Sequence, residues 1–139
     1  MALQRDPERV STIAIDHKYI DEDFEHVGEE GFVGIFKAER AGFLADRGLT
    51  LPRLMQDHGI MLNSIGHGKL SINGEVREGD LVEVSSKIVQ VQHKIIFFDH
   101  SMAKNSQIVC EEKAERVIVR EVGIGWITPP QWLLKDLLR

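Results

Sequence analysis

From residue 29 to residue 47 the chain reads EEGFVGIFKAERAGFLADR, and Phe32, Val33, Ile35, Phe36, Ala38, Ala41, Phe43 and Leu44 recur at helical spacings covering most of the circumference. A helix that is apolar nearly all round has to be enclosed by the rest of the fold. At about 1.5 Å per residue the segment spans on the order of 28 Å. Its end is marked by Arg47, whose charge suits the negative end of the helix dipole, and by Gly48, which is free to take the left-handed conformation. Thr50, Leu51 and Pro52 then predict a short second helix that stops before Gly59.

What encloses the long helix comes mostly after it. GIMLNSIGHGKLSI, DLVEVSSKIVQV, KIIFFDHSMAK and QIVCEEKAERVIVRE read as strands, with turn signals running from Asn73-Gly74 to Gly79-Asp80, at Gln92-His93 and at Asn105-Ser106. Val82, Val84 and Ile88 alternate with Glu83, Ser85 and Lys87, as in an antiparallel strand with one face covered. Ile95, Ile96, Phe97 and Phe98 run together, which predicts a central strand. Residues 10–20 add a less regular strand before the helix. Thr128-Pro129-Pro130-Gln131 reads as a capping box leading into an amphipathic helix that carries Trp132, Leu133 and Leu137. The order is strand, long helix, four antiparallel strands: an α+β domain in which one five-stranded sheet wraps a single central helix. It spans residues 1–139, with a core over about 10–121 and a C-terminal tail with a short helix over about 128–138. Unpaired strand edges predict that two such sheets join edge to edge.

Composition narrows the function. A formal charge of −5 lacks the basic stripe that nucleic-acid binding needs. No apolar run approaches the roughly 20 residues that span a bilayer, and residues 1–6 carry no signal-peptide core, so a soluble, cytoplasmic protein is expected. Cys110, the single cysteine, sits in a strand-like stretch with no partner for a disulfide or spaced metal motif and reads as a buried small side chain.

Asp21, Glu22, Asp23, Glu25, Glu29 and Glu30 crowd around His26 just where the apolar helix begins. Glu29 and Glu30 fall in the first helical turn, where a negative charge stabilises the helix by about 0.3–1 kcal/mol. The other four precede the helix. Nothing in their spacing fixes a metal geometry, and no metal is predicted. His17, His93 and His100 read as surface or structural, His67 lies between two glycines that permit close approach of a backbone or ligand, and Arg40 reads as the partner of a carboxylate.

Several spaced elements resemble the hotdog-fold acyl-CoA thioesterases, in particular the 4-hydroxybenzoyl-CoA thioesterase-like branch. His26-Val27 stands for that branch's His-Val, Phe36 for its helix aromatics, Arg40 for the end of its Ala-Arg element, and Gly48-Leu49 for the helix-ending Gly-Leu. Gly59-Ile60 matches the start of its second strand, and Gly79-Asp80 with Val84 its Gly-Asp turn. The chain departs at Glu25, Gly28 and Glu29, where the branch has glycine and two asparagines, and at Ile72 and Glu75, near the places of its tyrosine and proline.

The resemblance implies thioester hydrolysis with no cofactor beyond the coenzyme A of the substrate, in a homodimer or dimer of dimers acting on an acyl-CoA or acyl-carrier thioester. Counting back from His26 puts the catalytic carboxylate at Glu22, flanked by Asp21 and Asp23; Glu22 or Asp23 would act as base or nucleophile, with His26 orienting substrate or water. The backbone of Gly31, Phe32 and Val33 at the helix head would hold the oxyanion. Asp57 and His58, across a subunit interface, and Lys94 would meet the substrate. The alternatives are a non-catalytic acyl-thioester binding protein and a hotdog dehydratase.

Overall fold

In a computed structural model describing residues 6–139, the apolar segment forms helix α1, Glu29–Asp46. Residues 1–5 lie outside the described residues. Ahead of α1 come β1 (Glu8–Ala14), a 3-10 turn (His17–Tyr19), and the two-residue strands β2 (Ile20–Asp21) and β3 (His26–Val27). After it come α2 (Leu51–His58), β4 (Ile60–Gly66), β5 (Lys69–Ile72), β6 (Leu81–Gln92), β7 (Ile95–Lys104), β8 (Gln107–Glu121), β9 (Gly125–Ile127) and α3 (Gln131–Leu137).

The five long strands lie in the order β1-β6-β7-β8-β4, all antiparallel, with β7 in the centre as its two apolar faces require. The short β5 and β9 also pair with β8 and bring the sheet to seven strands. The first predicted strand is shorter than residues 10–20, because Asp16 Oδ1 accepts the Lys18 amide at 2.8 Å and turns the chain. The predicted strand over residues 59–72 is interrupted at His67-Gly68, where the Gly68 amide leaves the ladder and donates to Glu112 Oε2 at 3.0 Å.

That interruption is part of a line of irregularities across the sheet. Register slips between Ile88 and Gln90 on β6 and between Phe98 and His100 on β7, while Ala114 on β8 takes a φ of 64° and donates its amide to Asp99 Oδ1 at 2.8 Å. Bulges bend strands. Here the bend curls the sheet around α1, and the buried residues Phe32, Ile35, Phe36, Phe43 and Leu44 of the helix enter its concave side.

The helix ends as its sequence predicts. Gly48 takes a φ of 71°, and the Arg47 guanidinium donates to the Phe43 carbonyl at 3.1 Å while lying 3.6 Å from the centre of the Phe43 ring. The predicted capping box before α3 does not form, since Pro130 is the residue flanking the helix and Thr128 stands two positions further out. Leu133 and Leu137 of α3 are fully buried in the core with Phe43, Ile96 and Phe98.

Candidate active site at the head of the central helix

The acidic stretch folds as a miniature hairpin. β2 pairs with β3, Ile20 opposite Val27 and Asp21 opposite His26, and the tip is closed by the Glu25 amide on the Asp21 carbonyl at 2.8 Å and by the Asp23 amide on Asp21 Oδ1 at 3.0 Å. This closure sorts the carboxylates. Glu22, Asp23 and Glu25 are exposed, whereas Asp21 is half-buried and packs against Gly28, the residue that precedes α1; a Cβ at Gly28 would touch Asp21 Oδ2 at 3.4 Å. The carboxylate that reaches the helix head is therefore Asp21, and the predicted Glu22 and Asp23 face outward. Counting along the sequence does not reveal which way a two-residue hairpin turns its side chains.

Near it the helix offers backbone donors. The Phe32 amide donates to the Gly28 carbonyl at 3.0 Å, and Val33 lies one residue further into the ladder, so neither is free to meet an oxyanion. Of the predicted donors Gly31 remains, joined by Glu29 and Glu30, whose amides precede the first intrahelical bond.

Gly31 is required sterically, since a Cβ there would collide with the Tyr19 carbonyl oxygen and a methyl of Val27. Gly→Ala inside a helix ordinarily stabilises by about 0.8–1 kcal/mol. Gly31→Ala is expected to do the opposite, lowering the thermal midpoint by forcing the 3-10 turn off the helix; a raised midpoint in a melting curve would refute the close contact.

Two adjoining clefts, of about 680 and 540 Å³, share Asp21, Gly28 and Glu29. The larger runs along Lys18, Tyr19 and Gly34, the smaller between Phe24, His26, Ile72 and Glu75. His26 Nδ1 lies 3.1 Å from the Val27 carbonyl, which can only accept, so Nδ1 carries the proton and Nε2 is left for water or substrate. Phe24, 65% exposed, stacks on the His26 ring at 5.7 Å.

The other predicted contacts lie elsewhere in the chain. Asp57 sits 3.9 Å from Arg53, His58 stacks on Trp132 at 4.1 Å, and Lys94 occupies the β6–β7 turn. The register puts them at the far end of the sheet from the helix head: Ile60 is opposite Glu121 and Ile95 opposite Ile118, whereas Ile72, beside the smaller cleft, is opposite Cys110. Within one chain they do not join Asp21.

A second polar assembly, whose members the sequence pattern does not bring together, lies inside the core. Ser86 Oγ is 2.5 Å from His100 Nδ1, His100 Nε2 is 2.8 Å from Glu115 Oε1, and Glu115 Oε2 accepts from Arg40 Nη1. Ser86, His100 and Glu115 are all buried. The signal was present in the period-two pattern of β7, which sets His100 on the same face as Ile96, Phe98 and Met102. Burial alone would push the Glu115 carboxyl up, but the His100 hydrogen bond and the Arg40 charge outweigh it and bring the carboxyl down to about 2. Arg40 pairs with a carboxylate, as its place in an apolar helix suggested. The buried Cys110 thiol is pushed up to about 12 by desolvation and by Glu112 and Glu111, so it is no nucleophile.

His67, Glu112 and Glu115 bring possible ligand atoms within 4.8 Å of one another. Both Glu115 oxygens are already engaged, one by a guanidinium that would repel a cation, so the group fits a metal poorly. No helix among the described residues is long and apolar enough to cross a membrane.

No family model matches the chain, and no curated relative matches it. Solved structures do. A 4-hydroxybenzoyl CoA thioesterase variant in complex with 4-hydroxybenzoyl CoA superposes with a TM-score of 0.83 at 14% identity, covering 96% of this chain and 99% of that one. The 1,4-dihydroxy-2-naphthoyl-CoA thioesterase from Synechocystis gives 0.81 at 12% identity over 94% and 95% of the two chains, and a hypothetical protein from Thermus thermophilus gives 0.80 at 20% identity over 94% and 98%. At these identities the likeness shows the fold, which is the hotdog fold expected from the sequence.

Proposed function

We propose that this chain is a thioesterase that hydrolyses an acyl thioester of coenzyme A or of a carrier protein, with Asp21 as the catalytic carboxylate. The observation that carries the reading is the packing of Asp21 against Gly28, the residue that leads into the free amides of Glu29, Glu30 and Gly31, where two clefts adjoin. Structures of the same fold that are named as acyl-CoA thioesterases support it. Asp21 takes a proton from water as the oxygen attacks the thioester carbonyl, the helix-head amides hold the resulting oxyanion, and collapse of the intermediate expels the thiolate, which takes up the proton. His26 orients the water or the substrate through Nε2. The chemistry uses no resident cofactor or metal, and the setting is cytoplasmic.

The reading includes a homodimer formed along the β4–β5 edge, or a pair of such dimers. Two-fold antiparallel pairing centred near His67 would lay the start of the second copy's β4 beside Ile72 of the first, so its Asp57 and His58 would approach the first copy's smaller cleft. Thiol release from short, medium, long and aromatic acyl-CoA esters tests the reading. Hydrolysis of at least one class is expected; saturable binding without product over hours would instead identify a carrier, and loss of enoyl absorbance a hydratase.

A further inference from the structure

The buried residues Ser86, His100 and Glu115 and the half-buried Arg40 belong to four different elements, β6, β7, β8 and α1, and together form one continuous hydrogen-bonded chain from sheet to helix. The apolar core lies to either side of it in two clusters, one containing Phe36, the other Phe98, and the His100 ring stacks on both, at 5.3 and 5.9 Å. Phe36 and Arg40 are four residues apart on α1 and so share a face, which means the helix meets the assembly at two points. Apolar contact is non-directional and fixes the axial position of a helix less sharply than a bond between named atoms does. Hydrogen bonds with fixed partners do not.

We propose that His100 is a positioning residue: by binding Ser86 and Glu115 at once it locks the axial position of α1, and thereby the placement of the amides of Glu29, Glu30 and Gly31 relative to Asp21. The carboxylate of Glu115 can only accept, so His100 Nε2 carries a proton and Nδ1 receives the Ser86 hydroxyl hydrogen in the neutral ring. Arg40 stands nine residues from Gly31, about 14 Å along a rigid helix, so a displacement at one is delivered to the other. Misplacement of reacting groups by about 1 Å costs on the order of 100-fold in rate. The kinetic side of this inference rests on the thioesterase reading; the positional side does not.

The test uses the full chain with His100→Phe, which keeps a flat ring and removes both hydrogen bonds, Ser86→Ala, which removes one, and Ser85→Ala as control. Ser85 bonds Ser101 at 2.6 Å on the opposite face of the sheet. With an acyl-CoA ester that the parent hydrolyses, His100→Phe is expected to lower kcat about 100-fold and Ser86→Ala by a smaller factor, both with KM within about twofold, because the interaction lost acts at the transition state. The amide resonances of Glu29, Glu30 and Gly31 in a 15N-labelled sample should move in both variants and stay in place in the control. Unmoved resonances in a folded His100→Phe protein, or a raised KM with kcat unchanged, would overturn the inference. Should His100→Phe not fold, Ser86→Ala decides alone: unchanged kcat and unmoved resonances overturn it. A parent without turnover on any ester ends the thioesterase reading, and the resonances then decide the positional claim by themselves.

Discussion

Asp21→Asn is expected to reduce thioester turnover by about 100-fold to 10,000-fold, the range that loss of a positioned general base produces, while leaving the thermal midpoint nearly where it was. Asparagine keeps the side-chain oxygen that receives the Asp23 amide, so the hairpin tip stays closed. What is lost is the negative charge that accepts a proton from water. Glu22→Gln and Asp23→Asn, whose side chains are exposed on the outer side of the hairpin, should stay near the parental rate. Steady-state kinetics on the three variants separate the readings cleanly: collapse at Glu22 or Asp23 with Asp21→Asn active would place the catalytic carboxylate where the sequence count put it, and mean that the hairpin turns over on binding substrate.

The largest effect on stability is expected at Arg40. Arg40→Met leaves the buried Glu115 carboxylate with His100 alone, and breaking a buried ion pair from one side costs about 3–5 kcal/mol. For a chain of this size that lowers the thermal midpoint on the order of 10 °C. Adding Glu115→Leu should recover part of the loss, because the second substitution removes the stranded charge; a double variant less stable than Arg40→Met would show that the pair itself, and not the uncompensated charge, dominates. The same carboxyl fixes a pH dependence. It titrates at about 2 in the folded chain against an ordinary 4.5, so its contribution is complete above the ordinary carboxylate range and is lost as pH falls from there toward 2. Urea midpoints of the parent and of Glu115→Gln should therefore converge through that acid window. A gap that stays constant down to pH 2 would mean that the charge contributes nothing.

A second buried assembly shows how much of the helix-to-sheet attachment is polar. Glu39, on α1, is 6% exposed and receives Arg9 Nε at 3.1 Å and the Ser11 hydroxyl at 2.6 Å, while Arg9 also donates to Asp46 at 2.7 Å. Together with Arg40 and Glu115 it ties α1 to β1 and to β8. A charged residue inside an otherwise apolar helix was visible in the sequence; its partner, 30 residues upstream for Glu39 and 75 downstream for Arg40, was not.

The chain's own patterning determined the architecture. A long, largely apolar helix followed by alternating strands admits few arrangements other than a sheet wrapped around that helix, since both signals report burial, and burial is what the hydrophobic effect acts on. The helix is nonetheless not enclosed all round as its sequence suggested, for Ala38 and Ala41 are exposed and the small alanine side chain marks no face as buried. The same reasoning located the helix end at Gly48, the central place of β7 and the burial of Cys110. What only the tertiary structure decided was where individual polar groups lie and which partners they meet. Asp21 and not Glu22 or Asp23 reaches the helix head because of a two-residue hairpin. His100 joins Ser86 and Glu115 because β6 sets Ser86 opposite it and β8 carries an extra residue between Glu115 and Glu112. The helix-head donors are Glu29, Glu30 and Gly31 because the intrahelical ladder begins at Phe32. Each of these depends on the direction in which a side chain or an amide points. Hydrogen bonds and proton transfers are sensitive to that direction over fractions of an ångström, whereas the hydrophobic pattern of a sequence records only which side of an element is dry.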